Sequence, residues 1–78
     1  MVNLSFNLSL QVDEKKDPNE EPHFSIFRGK QFLTRLYLDP VHVVPSDSIS
    51  RLEMSTVQNY ADYFKSTLIE KFNSQPVH

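Results

Sequence analysis

Residues 2–12 alternate without a break, with Val2, Leu4, Phe6, Leu8, Leu10 and Val12 set against Asn3, Ser5, Asn7, Ser9 and Gln11. Successive side chains of a strand point to opposite faces, so a period of two specifies a strand with one apolar face and one wet face. A helix cannot bury this set, because its apolar positions recur at three- and four-residue steps. At about 3.3 Å per residue the run would span roughly 36 Å as one strand. The rest of a 78-residue chain must be fitted around it.

The apolar series resumes at Phe24 and Ile26 and continues at Phe32, Thr34, Leu36 and Leu38, all even-numbered. Pairing even with even across a hairpin needs an odd-membered loop. Phe27-Arg28-Gly29 is the three-residue loop that fits, with Gly29 in the left-handed position that glycine adopts without steric cost. Asp39-Pro40 ends the second strand, since proline has no amide hydrogen to donate and restricts the residue before it. "VHVV" then forms a short edge strand closed by Pro45.

Ser50 and Glu53 have the spacing of a capping box, and Ile49 with Met54 that of a hydrophobic staple. Met54, Val57, Ala61, Phe64, Leu68 and Phe72 follow as one stripe, opposite Ser55, Asn59, Asp62, Ser66 and Glu70. From Arg51 to Asn73 such a helix would be roughly 34 Å long, and its stripe reads as core rather than as a cofactor box. The expected architecture is therefore α+β, a single domain over residues 1–78. It has an antiparallel sheet of three or four strands and one long C-terminal helix packed on one face, with an acidic loop at 13–22 and a loose tail at 74–78.

A domain of this size buries only about 60% of the surface that its unfolded chain exposes. The 38% hydrophobic content, with six Phe and three Tyr, is nevertheless globular. There is no cysteine, so neither a disulfide nor a thiolate metal site supplements the core. That absence is typical of a cytoplasmic protein. The alternating N-terminal run lacks the basic start and continuous apolar core of a signal peptide, and no membrane association is expected. Net charge is −2, from eight Lys and Arg against ten Asp and Glu. Five of those acids, Asp13, Glu14, Asp17, Glu20 and Glu21, lie in "DEKKDPNEEP", which reads as a solvated loop without the glycine and alternating carboxylates of a calcium loop. Arg28, Lys30 and Arg35 could form a local basic patch, but the overall charge gives little long-range attraction for phosphate and disfavours nucleic acid as a partner.

Candidate chemistry is sparse. No serine is flanked by glycines, and a single glycine excludes a phosphate-cradling loop. His23 and His42 are the acid–base candidates, and a metal site using them would need a third ligand from Asp39, Glu21 or Asp47. No spacing requires one, so both histidines are read as surface or half-buried side chains, with no metal and no cofactor. The one enzymatic picture that can be assembled is a ribonuclease with a histidine base and Arg28, Lys30 and Arg35 on the phosphate.

The outer face of the hairpin is more informative. One helix covers one face of the sheet, so the other must suit water or a partner. On the first strand it is Asn, Ser and Gln; on the hairpin it is Ser25, Phe27, Leu33, Arg35 and Tyr37. Large aromatic residues with an arginine among them have the composition of a binding centre. Phe27, Leu33, Arg35 and Tyr37 are therefore the expected partner-binding residues, with Leu52, Tyr60 and Tyr63 as a secondary ribbon on the helix.

From Glu21 to Phe72 the chain resembles a family of small bacterial proteins of unknown function. The family is marked by a Pro-Pro-His-x-His-Val strand, a glycine turn, a second strand and a long helix ending near a tryptophan. Pro22, His23 and Ile26 match the motif and Gly29 the turn, whereas Glu21, Ser25 and Phe72 stand in place of the first proline, the second histidine and the tryptophan. The resemblance implies a toxin–antitoxin-like gene neighbourhood and a protein partner, and the missing second histidine argues against any His-x-His chemistry here. Two functions follow as expectations. The first is a non-enzymatic interaction module, antitoxin-like or inhibitory, self-associating or binding another protein. The alternative is a small RNA-directed protein or toxin-like ribonuclease in which Phe27 and Tyr37 stack on bases.

Overall fold

The computed structural model describes residues 2–75; the end of the expected loose tail, 76–78, lies outside the described residues. The fold is α+β. Five antiparallel strands, β1 (Val2–Asn3), β2 (Leu8–Val12), β3 (His23–Arg28), β4 (Gln31–Leu38) and β5 (Val41–Val43), form one sheet in sequential order. Two helices follow, α1 (Arg51–Tyr63) and α2 (Lys65–Asn73). Both strand number and helix number exceed the expectation, and each difference has a physical cause.

The N-terminal run is a hairpin rather than one long strand. The Leu4 N–H donates to the Leu8 carbonyl at 2.7 Å and the Leu8 N–H to the Ser5 carbonyl at 3.1 Å, leaving Ser5, Phe6 and Asn7 as the loop. Phe6 and Asn7 have φ of 62° and 59°, a region that asparagine tolerates and phenylalanine seldom enters. An odd loop pairs even residues with even, as Val2 with Leu10. The alternation therefore runs through the reversal in phase, and a hairpin of this kind has the same residue pattern as a single strand.

At the β3–β4 connection the opposite device operates. The loop is the two-residue Gly29-Lys30, with Gly29 at φ 61° as its sequence position implied. Even–even pairing is restored by a bulge: Ile26 faces Thr34, whereas Phe27 faces Phe32, so Leu33 is the extra residue. The bulge overturns two sequence-based placements. Leu33, expected on the outer face, is buried at 5% exposure within the core cluster, and Phe32, expected inside, is 49% exposed.

Leu38 ends β4 as expected, and the cis Asp39–Pro40 bond lies in the tight turn to β5. The helix start is also as read: Ser50 accepts from the Glu53 N–H, and Glu53 accepts from the Ser50 N–H. The long helix, however, breaks at Phe64 (φ −106°, ψ 21°). A straight helix over Arg51–Asn73 would be about as long as the whole molecule, whose largest extent is 33 Å. The break lets α1 lie against β5 and α2 against β3 and β4. Val57, Ala61, Leu68 and Phe72 remain buried against Leu8, Leu10, Phe24, Ile26, Leu36 and Leu38, while Phe64 leaves the stripe and is 38% exposed.

Candidate functional site

β2 ends with Val12 opposite Phe24, and continuing that register sets Asp13 across from His23 at the start of β3. A polar network grows from this pair. His23 Nδ1 lies 2.5 Å from Asp13 Oδ2, and Nε2 lies 2.6 Å from Glu20 Oε2. Ser25 Oγ donates to the other oxygen of Asp13, and the Lys16 N–H donates to the other oxygen of Glu20 at 2.9 Å. The Glu20 carboxyl titrates below the ordinary carboxylate range, chiefly because of its bond to His23 and then because of the Lys16 amide. The histidine ring packs on Phe72 and Tyr37, with centroids 5.2 and 5.6 Å away, and Tyr37 stacks in turn on His42 at 5.3 Å.

The acidic segment is thus no freely solvated loop, and His23, half-buried at the strand edge as read, is bonded to it on both ring nitrogens. A second set of bonds ties the segment to the end of α2. Gln75 Nε2 donates to the Asp13 carbonyl at 2.7 Å, the Lys15 N–H donates to Gln75 Oε1 at 3.3 Å, and Lys15 Nζ donates to Asn73 Oδ1 at 3.1 Å. Lys15 is buried with its ammonium 6.0 Å from the centre of the Phe72 ring, a cation held over an aromatic face. Ser74 and Gln75, read as part of a loose tail, are also held in place: the Ser74 hydroxyl donates to the Glu70 carbonyl at 2.7 Å.

Between segment and sheet lies a cavity of about 550 Å³, lined by Asp13, Glu14, Lys16, Glu20 and Glu21 on one side and by His23, Arg35 and Tyr37 on the other. Its chemistry is limited by geometry. The Ser25 hydroxyl is committed to a carboxylate rather than to an imidazole nitrogen, so the serine–histidine contact of a nucleophilic pair is missing. Asp13 and Glu20 occupy opposite edges of one ring and cannot converge on a common metal ion with it. Among the described residues no three of His, Asp and Glu gather as a metal-binding set. His42 is exposed, its Nδ1 3.4 Å from the Pro40 carbonyl.

The other end of the same face is built differently. Phe27 and Phe32 meet edge to face, 5.8 Å between centroids and 77° between planes. Beside them runs a shallow groove of about 320 Å³ lined by Phe32, Leu33, Thr34, Tyr37, Val44 and Arg35 among others. Leu33 therefore still contributes to the surface relief, from beneath. Arg28 does not join Lys30 and Arg35 in a basic patch, since its guanidinium pairs with the helix-capping Glu53. Glu53 accordingly titrates below its ordinary range, first through the Ser50 amide and second through Arg28. On the helix, Tyr60 and Tyr63 gather with the displaced Phe64 at 4.6 and 4.7 Å, and Tyr63 is 80% exposed.

Comparison of the chain with protein-family models, curated proteins and solved structures returned no match. No helix among the described residues is long and apolar enough to cross a membrane.

Proposed function

We propose that the chain is a small non-enzymatic protein-interaction module, and that its docking face is the outer sheet surface centred on its open end: Phe27 and Phe32 with Leu33 beneath, continued by Arg35 and Tyr37 toward the His23 end. The observation that carries this reading is the Phe27–Phe32 pair, packed edge to face with Phe32 half-exposed beside a groove with apolar walls. Contiguous apolar surface rimmed by polar groups marks an interaction site more often than scattered single residues do. Aromatic rings next to an arginine supply the anchors from which binding centres are built. An antitoxin-like or inhibitory role, by self-association or with another protein, suits such a face and agrees with the partner implied by the family resemblance.

The RNA-directed alternative is disfavoured by the same geometry. Of its three cations, Arg28 is neutralised by Glu53, and Arg35 opens onto a cavity that also holds four carboxylates. A ribonuclease base at His23 would need a ring nitrogen that is not already bonded to a carboxylate.

Phe32→Glu places a charge in the middle of the pair while leaving the core untouched. It should reduce self-association or partner affinity by about tenfold or more, the loss typical of an anchor residue. Light scattering reports the first and pull-down from the native host the second. Tyr63→Glu is the control and should leave both intact; a Phe32→Glu protein with unchanged mass and undiminished partner recovery would eliminate this face.

A further inference from the structure

We propose that residues 13–22 form a pH-dependent strap, which His23 holds across one end of the outer face only while both of its ring nitrogens carry hydrogen. The argument begins with what the segment lacks. It contains no apolar residue other than two prolines, so no hydrophobic anchor fixes it to the sheet. Its hold on β3 consists of the two carboxylate contacts of His23 and the Ser25–Asp13 bond. Ionised carboxylates only accept, so contacts to both edges of the ring require two donors. When one proton leaves for solvent, a single N–H remains, and the other nitrogen turns a lone pair toward a carboxylate.

The second tether does not depend on that proton. Gln75, Lys15 and Asn73 bind the start of the segment to the end of α2 through neutral amide and ammonium groups. The far end is fixed as well, since Pro22 runs directly into β3 and its carbonyl accepts from the Leu38 N–H of β4 at 3.2 Å. Release at His23 therefore frees the middle of the segment, residues 16–21, between two fixed ends rather than detaching it. The groups around the ring are accounted for from every side. Asp13 and Glu20 come from the segment, Ser25 from β3, Tyr37 from β4 with His42 of β5 stacked behind it, and Phe72 from α2 with the Lys15 ammonium over its ring. Arg35, Glu14, Lys16 and Glu21 share the adjoining cavity without a hydrogen bond to the ring among the described residues. The depressed titration of Glu20 is the counterpart of its contact with His23.

Opening the strap would uncover Tyr37 and the carboxylate-lined cavity. As a control on docking this rests on the outer-face reading given above, whereas the strap itself does not. The test is amide exchange measured by NMR on the full chain. The Lys16 amide, bonded to Glu20 Oε1, and the Glu20 amide, bonded to the Asp17 carbonyl, are the reporters. From about pH 5.5 to 8.5, a range that brackets imidazole titration, their protection corrected for intrinsic exchange should fall by about tenfold. Amides within β3 and β4 should not change.

In His23→Gln the reporters should be unprotected at every pH. Glu20→Gln, which spares the Asp13 contact and the packing on Phe72, should remove most of the pH dependence and decides the matter if the first variant does not fold. Flat protection in the parent, or undiminished pH dependence in either variant, would overturn the strap. A strap that opens on schedule while partner recovery stays constant over the same range would leave the strap standing and overturn its control of docking.

Discussion

The two ends of the outer face of β3 and β4 carry equally conspicuous residues and treat them in opposite ways. At the His23 end each polar group is used within the chain: both ring nitrogens, both Asp13 oxygens and the Ser25 hydroxyl are bonded, and the ring rests on Phe72 and Tyr37. At the Phe32 end a half-buried Phe27 meets Phe32 edge to face, and Phe32 is half-exposed to water. A histidine amid carboxylates looks catalytic, but satisfying all of its valences makes it a fastening. A pair of phenylalanines at the start of a β-bulge looks like stray core, but exposure makes it available to a partner.

The strongest way to break this division is to ask where the fold is held. Phe72→Ala removes a fully buried ring that supports both the core and His23, and it should destabilise by about 3–5 kcal/mol. Phe64→Ala, on the same face of the expected long helix, should cost about 0.5 kcal/mol, as surface substitutions do. Urea melts of the two variants compare them directly, and equal losses would restore a single straight stripe.

Acid sharpens the comparison with a smaller effect. Glu20 and Glu53 both titrate below the ordinary value of 4.5 in the folded chain. A depressed carboxyl stabilises the fold fully above its unfolded pKa, and that contribution is lost as pH falls through the folded value. Urea midpoints should therefore decline below about pH 4.5, and Glu20→Gln and Glu53→Gln should each flatten the decline. If neither substitution changed the slope, the bonds at His23 and at the helix cap would carry no linkage to folding.

How far the sequence reached depends on which physical rule wrote the signal. The capping box, the left-handed conformation of Gly29 (though not the expected Phe27-Arg28-Gly29 loop), the stop at Asp39-Pro40 and most of the helical stripe are local and were legible. Alternation fixes which face a residue takes but is blind to an in-phase reversal, so the Ser5–Asn7 loop was hidden inside a continuous strand pattern. The Leu33 bulge was hidden for the converse reason: an odd loop and an even loop with one extra residue satisfy the same parity. Of the residues on the proposed docking face, Phe27, Arg35 and Tyr37 were expected on that face, and Phe32 was missed through that bulge. The role of Asp13 was missed although its opposition to His23 follows from pairing the ends of β2 and β3. Lys15 and Gln75 carry no such signal, because their partners lie about 60 residues apart in sequence and meet only when α2 docks.

The most direct test of the division between a fastened end and an open one is site-specific photo-crosslinking. A benzophenone amino acid replaces Phe32 in one protein and Tyr63 in another. Tyr63 is the more exposed of the two, so exposure alone favours adducts at 63. If the open end of the sheet is the docking face, a discrete adduct, with a second copy or with another protein, should form from position 32 and be absent from 63. Adducts from 63 with none from 32 would contradict the account and move the interface to the helix.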